Sequence, residues 1–450
     1  MLSTKPNILL LVIDGFRADR CFGEKKTSIT PNLDKLIKNG VSFNQAISTA
    51  DATSVSLGSM FTGLNPYNSE IYTFKSKTNK SNFFNHLQKL GYNLYLTLQN
   101  SMTVKRFSSN INSPKSVFQS QVHHLNEGYG DEIIKRLDKS NLREPWFHLI
   151  HLMDLHHPII IPKEFDSEKF GINEYEKSIS VTDYWLGKFL EKIDLNSTLV
   201  VITADHGEYV SESKIRDLDY EPELKNINKI ATKIIPKNLK PSAKKFFLNA
   251  KKSIKNIRFN NATKKMTELQ KRNLRTRAGL YLYDDLIRVP LIFTGNCIST
   301  SKIIHNQVPS IGIFPTILDL IGLQQMNEKI DGVSLIPLIK NQSFIENPIY
   351  IETAAVTPPP GLTGDVVGIR THEFKYFRSR KNPKKHVHLY NLKNDPLEET
   401  NLIKINSEMA DKMELILINF LEKSKSSISK NIMDEETREI QNELKKLGYV

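Results

Sequence analysis

Two apolar segments lie far apart in this chain of 450 residues, and each of them ends on an acidic residue. The first is Asn7–Ile13, which precedes Asp14, and the second is 198–204, which precedes Asp205 and His206. Uninterrupted apolar runs of this length are typical of strands that are buried on both faces of a parallel sheet. Because open α/β sheets bind ligands at the carboxyl ends of their strands, we expect the two carboxylates to meet at one edge.

Helical and strand patterns alternate through most of the first 350 residues, which indicates a mostly parallel sheet sandwiched by helices. Beyond residue 345 the pattern changes to short alternating strands followed by helices. We therefore expect a large α/β domain at 1–345 and a small C-terminal α+β subdomain with terminal helices at 346–450. The predicted helices are 31–39, 82–90, 175–193, 309–320 and 435–447, with a further helical stripe through Met409, Met413, Ile416 and Phe420. The other predicted strands are 93–98, 146–152 and 289–293, with the small sheet within 367–377 and 386–392.

The net charge of +13 is concentrated in one part of the chain. The segment 224–277 contains 17 Lys and Arg residues against one acid, Glu268, so the remainder is slightly acidic. We expect a basic insertion at 214–277, in which the apolar side chains of 247–257 fall on one face of a lysine-flanked helix. Such a helix suits an anionic membrane surface or a polyanion, and a solvated insertion without a partner is the alternative.

Several classes of protein are disfavoured by composition. No stretch offers the roughly 18 apolar residues of a transmembrane helix, and the apolar start is too short for a signal peptide. Two distant cysteines, Cys21 and Cys297, do not suggest a disulfide scaffold. We therefore expect a cytoplasmic protein, peripheral at a membrane if the basic segment docks there. No aromatic-interleaved recognition motif predicts a specific nucleic-acid partner.

Between the two acidic strand ends lies a hydroxyl-rich turn, residues 49–63, that runs into an apolar segment. Two carboxylates, an imidazole and a hydroxyl are the parts of a metal-assisted nucleophile site. A donor set of Asp14, Asp205 and His206 favours Mn or Zn weakly, and Ca or Mg fits as well. The sequence therefore predicts one divalent ion.

In its motifs the chain resembles the sulfatase-like branch of the alkaline phosphatase superfamily, from end to end and in order. The residues that carry the resemblance are Asp14-Gly15-Phe16-Arg17-Ala18-Asp19, Thr30-Pro31-Asn32-Leu33-Asp34, Met60-Phe61-Thr62-Gly63, Thr203-Ala204-Asp205-His206-Gly207-Glu208, Leu282-Tyr283-Asp284, Val289-Pro290-Leu291, Asp331-Gly332-Val333-Ser334-Leu335 and Leu389-Tyr390-Asn391-Leu392. The resemblance implies an alkaline-phosphatase-like α/β fold and hydrolysis of anionic sulfate or phosphate esters at a divalent metal ion. The basic insertion has no counterpart in these motifs.

The resemblance also implies roles for individual residues. Asp14, Asp205 and His206 take the places of metal ligands, and Thr53 takes that of the nucleophile, which also touches the metal. His156 matches a histidine that contacts the ester, and we expect it to protonate the leaving oxygen. The alternatives are that Thr53 is an ordinary helix N-cap and that His156 is structural.

The sequence departs from the usual sulfatase pattern at several positions. Val55 and Leu57 follow Thr53 where Pro and Arg would signal conversion to formylglycine, and threonine cannot form that aldehyde. The anion-binding Lys and His of the family are absent at 98–101. The remaining candidates for substrate binding are Arg17, His151, Arg275 and Arg277. These departures leave two alternatives to hydrolysis, namely phosphoryl transfer and an inactive polyanion-binding protein.

Overall fold

The computed structural model describes residues 5–69, 71, 82–99, 117–210, 261, 263–273, 281–323, 329–354 and 365–425. The chain divides into two compact units, one formed by Met1–Glu208 with Arg277–Val450 and the other by Tyr209–Thr276. The first unit contains the sheets and all the candidate site residues that the structure describes.

A nine-stranded sheet organises the first unit. Its strands are β1 (Asn7–Ile13), β2 (Val41–Ile47), β3 (Asn93–Leu98), β4 (Val117–Gln119), β5 (Trp146–Leu152), β6 (Thr198–Thr203), β7 (Arg288–Gly295), β8 (Lys302–Ile304) and β9 (Val308–Pro309). The spatial order is β4-β3-β5-β1-β6-β7-β2-β8, with β9 paired to β2. The first five strands in this order, from β4 through β6, are parallel to one another. Strand β7 runs antiparallel to both of its neighbours, β6 and β2. The expected mostly parallel α/β sheet is confirmed.

Among the described residues, the helices of this unit lie between the strands in sequence, and one follows the last strand. They are α1 (Ala18–Cys21), α2 (Pro31–Asn39), α3 (Thr53–Thr62), α4 (Pro66–Ser69), α5 (Phe83–Lys89), α6 (Tyr129–Leu137), α7 (Glu174–Leu190), and then, after the second unit, α9 (Asp284–Ile287), α10 (Ile313–Leu320), α11 (Ile336–Ile339) and α12 (Ser407–Lys425). Local signals explain several boundaries. Pro31 opens α2, and the side chains of Asn82 and Asn85 form a reciprocal capping box at the start of α5.

A second sheet of four antiparallel strands follows the large one in sequence. Its strands are β10 (Ile349–Glu352), β11 (Val366–Arg370), β12 (Phe374–Ser379) and β13 (His388–Asn391). Helix α12 packs on this sheet through Met413 and Leu417, with Met409, Ile416 and Phe420 partly buried against the same core. The apolar stripe predicted for this helix therefore has the packing role expected of it.

The second unit is described only in part, and its described residues include α8 (Glu268–Asn273). The predicted amphipathic face of 247–257 and the last predicted helix, 435–447, lie outside the described residues. Within the described ranges, none of the helices is both long and apolar enough to cross a membrane.

Candidate active site

The two acidic strand ends meet, as the sequence predicts. Strands β1 and β6 are adjacent and parallel, with Val12 opposite Thr203, so Asp14 and Asp205 emerge side by side just beyond the ends of the strands. Asp14, Asp205 and His206 are all at most 1% exposed. Each offers one ligand atom, and these atoms lie within 4.8 Å of one another.

The orientation of His206 suits a metal ligand. Its Nδ1 lies 2.9 Å from the carbonyl oxygen of Gly207, which can only accept a hydrogen bond. Nδ1 therefore carries the proton, and Nε2 faces the carboxylates at 3.6 Å from Asp14 Oδ1 and 3.4 Å from Asp205 Oδ2. A carbonyl that fixes the ring in this way is the usual partner of a ligating histidine.

The carboxylate oxygens nearest this imidazole lack donors. Asp14 Oδ1 and Asp205 Oδ2 are fully buried, and neither has a hydrogen-bonding partner among the described residues. Two buried, unsatisfied anionic oxygens are costly unless a cation compensates them. The residues present therefore fit a divalent ion.

Other contacts aim Asp205 into the cluster. Its Oδ1 accepts hydrogen bonds from the backbone N–H groups of His206, at 2.9 Å, and Gly15, at 3.4 Å. Its backbone carbonyl accepts from the hydroxyls of Ser48, at 2.6 Å, and of Ser56. These contacts leave Oδ2 directed at the cluster. Ser48 and Ser56 were not predicted as site residues, because their role depends on a carbonyl distant in sequence.

Thr53 is the first residue of α3, and its hydroxyl lies in the cluster. Oγ1 donates to Asp14 Oδ2 at 3.1 Å and is 3.3 Å from His206 Nε2. The N-cap position belongs to Ala52, so the alternative that Thr53 is the N-cap is wrong. The helix N-terminus at Thr53 also favours an anion beside the hydroxyl.

His151 lies on the other side of Asp14. It sits on β5 opposite Val12, is 1% exposed, and its Nε2 is 3.9 Å from Asp14 Oδ2. Neither ring nitrogen has a hydrogen-bonding partner among the described residues. The structure thus brings His151 to the cluster, and its contact with substrate stays a prediction.

The remaining candidates are placed differently. The half-buried ring of His156 has Nδ1 2.9 Å from the backbone carbonyl oxygen of His157, and its part in proton transfer stays a prediction. Arg17 is buried, donates to both oxygens of Asp19 at 2.8 Å, and also binds Asp285. Burial alone would lower the pKa of Arg17, but these two carboxylates outweigh it and raise that pKa. Arg275 and Arg277 lie outside the described residues.

Comparison with known families gives two matches along the chain. The sulfatase family matches residues 6–323, and the C-terminal region of N-sulphoglucosamine sulphohydrolase matches residues 278–427. An uncharacterized protein of Haemophilus influenzae is 27% identical over 218 residues, which are 46% of this chain. The chain spans only 32% of the length of that relative.

Solved structures share the fold at low sequence identity. The phosphonate monoester hydrolase of Agrobacterium radiobacter superposes with a TM-score of 0.65 at 14% identity, covering 93% of this chain and 96% of its own. A 2-O GAG sulfatase gives a TM-score of 0.63 at 16% identity, with 96% of each chain covered. A protein in complex with its substrate D-glucosamine-2-N,6-O-disulfate gives 0.63 at 14% identity, covering 94% of this chain and 98% of its own.

Proposed function

The chain belongs to the sulfatase family of ester hydrolases, and we propose from that premise that it hydrolyses a sulfate or phosphate ester with Thr53 as the nucleophile. The observation that carries this proposal is the position of one hydroxyl. Thr53 Oγ1 lies 3.1 Å from one ligand residue, Asp14, and 3.3 Å from another, His206, at the N-terminus of α3. A hydroxyl so placed has an acceptor for its proton and an anion-favouring backbone beside it.

One divalent cation would be held by Asp14 Oδ1, Asp205 Oδ2 and His206 Nε2, with Thr53 Oγ1 at its side. When bound, such an ion lowers the pKa of a coordinated hydroxyl and offsets the charge of anionic ester oxygens. The partnerless oxygens of Asp14 and Asp205 support this assignment. The donor set of two carboxylates and an imidazole suits Mn or Zn and does not exclude Ca or Mg.

The chain's own residues then carry a two-step displacement. Asp14 Oδ2 holds the proton of the Thr53 hydroxyl, and Oγ1 attacks the sulfur or phosphorus atom in line with the leaving oxygen. The bond from Oγ1 to that atom forms as the bond to the leaving alcohol oxygen breaks, and His156 supplies the proton that this oxygen takes up. In a second step water attacks the same atom and gives a proton to His156 while the bond to Oγ1 breaks. Oγ1 takes its proton back from Asp14, and the inorganic anion is released.

The nucleophile bears on the choice between sulfate and phosphate. Threonine cannot form the formylglycine aldehyde, so its ester cannot break down through that aldehyde. A threonyl ester must instead be cleaved by a second attack on the central atom, which is the ordinary course of phosphoester transfer. We therefore favour a phosphate or phosphonate monoester. The substrates named for the structural relatives, a phosphonate monoester and sulfated glucosamine, define the classes to test.

The experiment is a substrate panel run with two matched variants of Thr53. 4-Nitrophenyl sulfate, 4-nitrophenyl phosphate and a phosphonate monoester are each assayed with Mg²⁺, Ca²⁺, Mn²⁺ and Zn²⁺. Thr53→Val keeps the shape of the side chain and removes the hydroxyl, whereas Thr53→Ser keeps the hydroxyl. We expect turnover that is lost in Thr53→Val and retained in part in Thr53→Ser. Equal turnover by wild type and Thr53→Val would refute the nucleophile.

A further inference from the structure

A cavity of about 160 Å³ lies between β2, α9 and the small antiparallel sheet. Its lining includes Asp284 at the start of α9, Arg288 at the start of β7, Arg370 at the end of β11, and Lys393 after β13. The volume exceeds that needed for one water molecule by about tenfold, so a group of several heavy atoms fits. Neither the metal cluster nor Thr53 belongs to the lining.

The one carboxylate of the lining, Asp284, is fully engaged. Arg370 donates to it from Nε at 3.0 Å and from Nη2 at 2.9 Å, and Lys375 Nζ donates at 2.6 Å. Burial alone would raise the pKa of Asp284, but the surrounding cations hold that pKa well below its ordinary value. Asp284 is therefore ionised, and its oxygens are hydrogen-bonded by Arg370 and Lys375, whereas Arg288 acts on it only through its charge.

Arg288 is the cation beside Asp284 that makes no hydrogen bond to it. Its side chain is 25% exposed, and its Nε lies 3.8 Å from Asp284 Oδ2, beyond hydrogen-bonding distance. Within the described part of the chain, no other carboxylate oxygen lies within 4.0 Å of that guanidinium. A half-buried guanidinium with open N–H donors beside a cavity calls for an acceptor in the cavity.

The charges around the cavity point the same way. Arg288, Arg370 and Lys393 line it together with a single acid, Asp284. At the rim, Lys393 is 70% exposed and 3.6 Å from exposed Glu373, a contact of little strength. Lys375, just outside the lining, shares its charge with Glu398 at 2.7 Å. The lining therefore carries a surplus of positive charge, which favours an anion in the cavity.

We propose that this cavity is a second anion site, in which Arg288 binds a tetrahedral sulfate- or phosphate-type group and Lys393 closes the rim. A planar guanidinium recognises two oxygens of such a group at once. The sulfate- or phosphate-type group that binds here can come from two sources. It is either a second anionic substituent of the substrate or a free inorganic anion.

A short path connects this site to the catalytic cluster. The backbone N–H of Ser48 donates to the carbonyl oxygen of Ile287, the residue before Arg288, at 2.7 Å. The hydroxyl of Ser48 donates to the carbonyl oxygen of Asp205 at 2.6 Å. Ser48 therefore holds Ile287 and Asp205 close to each other, which places Arg288 and the catalytic cluster at the same edge of the sheet.

The first test is binding of inorganic sulfate to the full chain, measured by calorimetry, which requires no turnover. Arg288→Gln keeps Asp284 paired with Arg370 and Lys375, so the fold should persist, and the urea midpoint verifies that it does. We expect sulfate binding at one site to weaken at least tenfold in Arg288→Gln and severalfold in Lys393→Gln. Exposed Arg143 and Lys404 supply matched controls, Arg143→Gln and Lys404→Gln, which should bind as wild type does.

Kinetics distinguish the two sources of the anion. If the substrate supplies it, Arg288→Gln raises KM for an ester with a second sulfate group and leaves KM for 4-nitrophenyl esters unchanged. If it is a free anion, both KM values stay unchanged while sulfate binding is lost. Either result supports the second site. Sulfate binding that is identical in wild type, Arg288→Gln and Lys393→Gln would overturn it, whatever the outcome for Thr53.

Discussion

Replacing Asp205 by asparagine should stabilise the metal-free protein and abolish its response to metal ions. The ligand oxygens of Asp14 and Asp205 lie within 4.8 Å of each other, are buried, and have no donor between them among the described residues. Two like charges at that separation repel by about 3 kcal/mol at an effective dielectric constant of roughly 20. The native state of the metal-free protein is therefore destabilised by the repulsion between these two carboxylates, and the substitution removes that repulsion.

The geometry of Asp205 makes asparagine a nearly isosteric test. Its Oδ1 accepts two backbone N–H bonds and can remain an acceptor, so the new amide nitrogen takes the place of Oδ2. There it can donate to Asp14 or to His206 Nε2, which satisfies a buried oxygen as well as removing a charge. We expect a gain of about 2–3 kcal/mol in the free energy of unfolding in EDTA.

Urea unfolding with and without Mn²⁺ measures the effect. Wild type should gain about 2.7 kcal/mol when the ion exceeds its Kd a hundredfold, and Asp205→Asn should gain almost nothing. Asp183→Asn is the matched control, because Asp183 is a buried carboxylate outside the cluster that accepts backbone N–H bonds from Asn32 and Leu33. If Asp205→Asn destabilises the protein equally in EDTA and in Mn²⁺, the carboxylate is structural and the reasoning fails.

Three further predictions concern the nucleophile, an internal histidine and the basic segment. Thr53→Val should lower kcat at least a thousandfold with little change in Mn²⁺ affinity, because Asp14, Asp205 and His206 remain; a kcat within tenfold of wild type would contradict this. Burial lowers the pKa of His148 from 6.5 to about 3, so the unfolded chain binds a proton first as the pH falls below 6.5. As the pH falls from 6.5 to 5, this histidine should therefore lower the free energy of unfolding by up to about 2 kcal/mol. The urea midpoint of His148→Phe should fall less over that interval than that of wild type. An equal fall in both proteins would contradict the low pKa of His148. Changing Lys244, Lys245, Lys251 and Lys252 together to glutamine should raise KM for an anionic polymer or lipid ester and leave a 4-nitrophenyl ester unaffected, whereas equal effects on both would leave the segment without a role in binding.

The centre of the candidate site was predictable because its signals are local. The apolar runs before Asp14 and Asp205 define β1 and β6, and the bounds of β1 agree with the prediction to the residue. Helix α7 was expected at 175–193 and spans Glu174–Leu190. The difference lies at the helix ends, because frayed ends leave weaker sequence signals than a periodic apolar face. The convergence of Asp14, Asp205 and His206 then follows from parallel neighbouring strands.

Other features depend on tertiary contacts that no local pattern encodes. Strand β2 was not predicted, because its segment mixes polar and apolar residues and its partner β7 lies about 250 residues away. The antiparallel direction of β7 was equally invisible, since a buried apolar run reads the same in either direction. Arg17 was predicted to bind substrate, which stays a prediction; its ion pair with Asp285 was not predicted, because it joins residues far apart in sequence.

We infer that Asp14, Asp205 and His206 hold one divalent ion beside the hydroxyl of Thr53. Calorimetric titration of EDTA-treated protein with Mn²⁺ and Zn²⁺ tests it most directly. We predict one equivalent of ion bound by wild type and by Thr53→Val, and none by Asp14→Asn or His206→Ala at the same concentrations. Wild-type protein that binds neither ion, or variants that bind as wild type does, would contradict it.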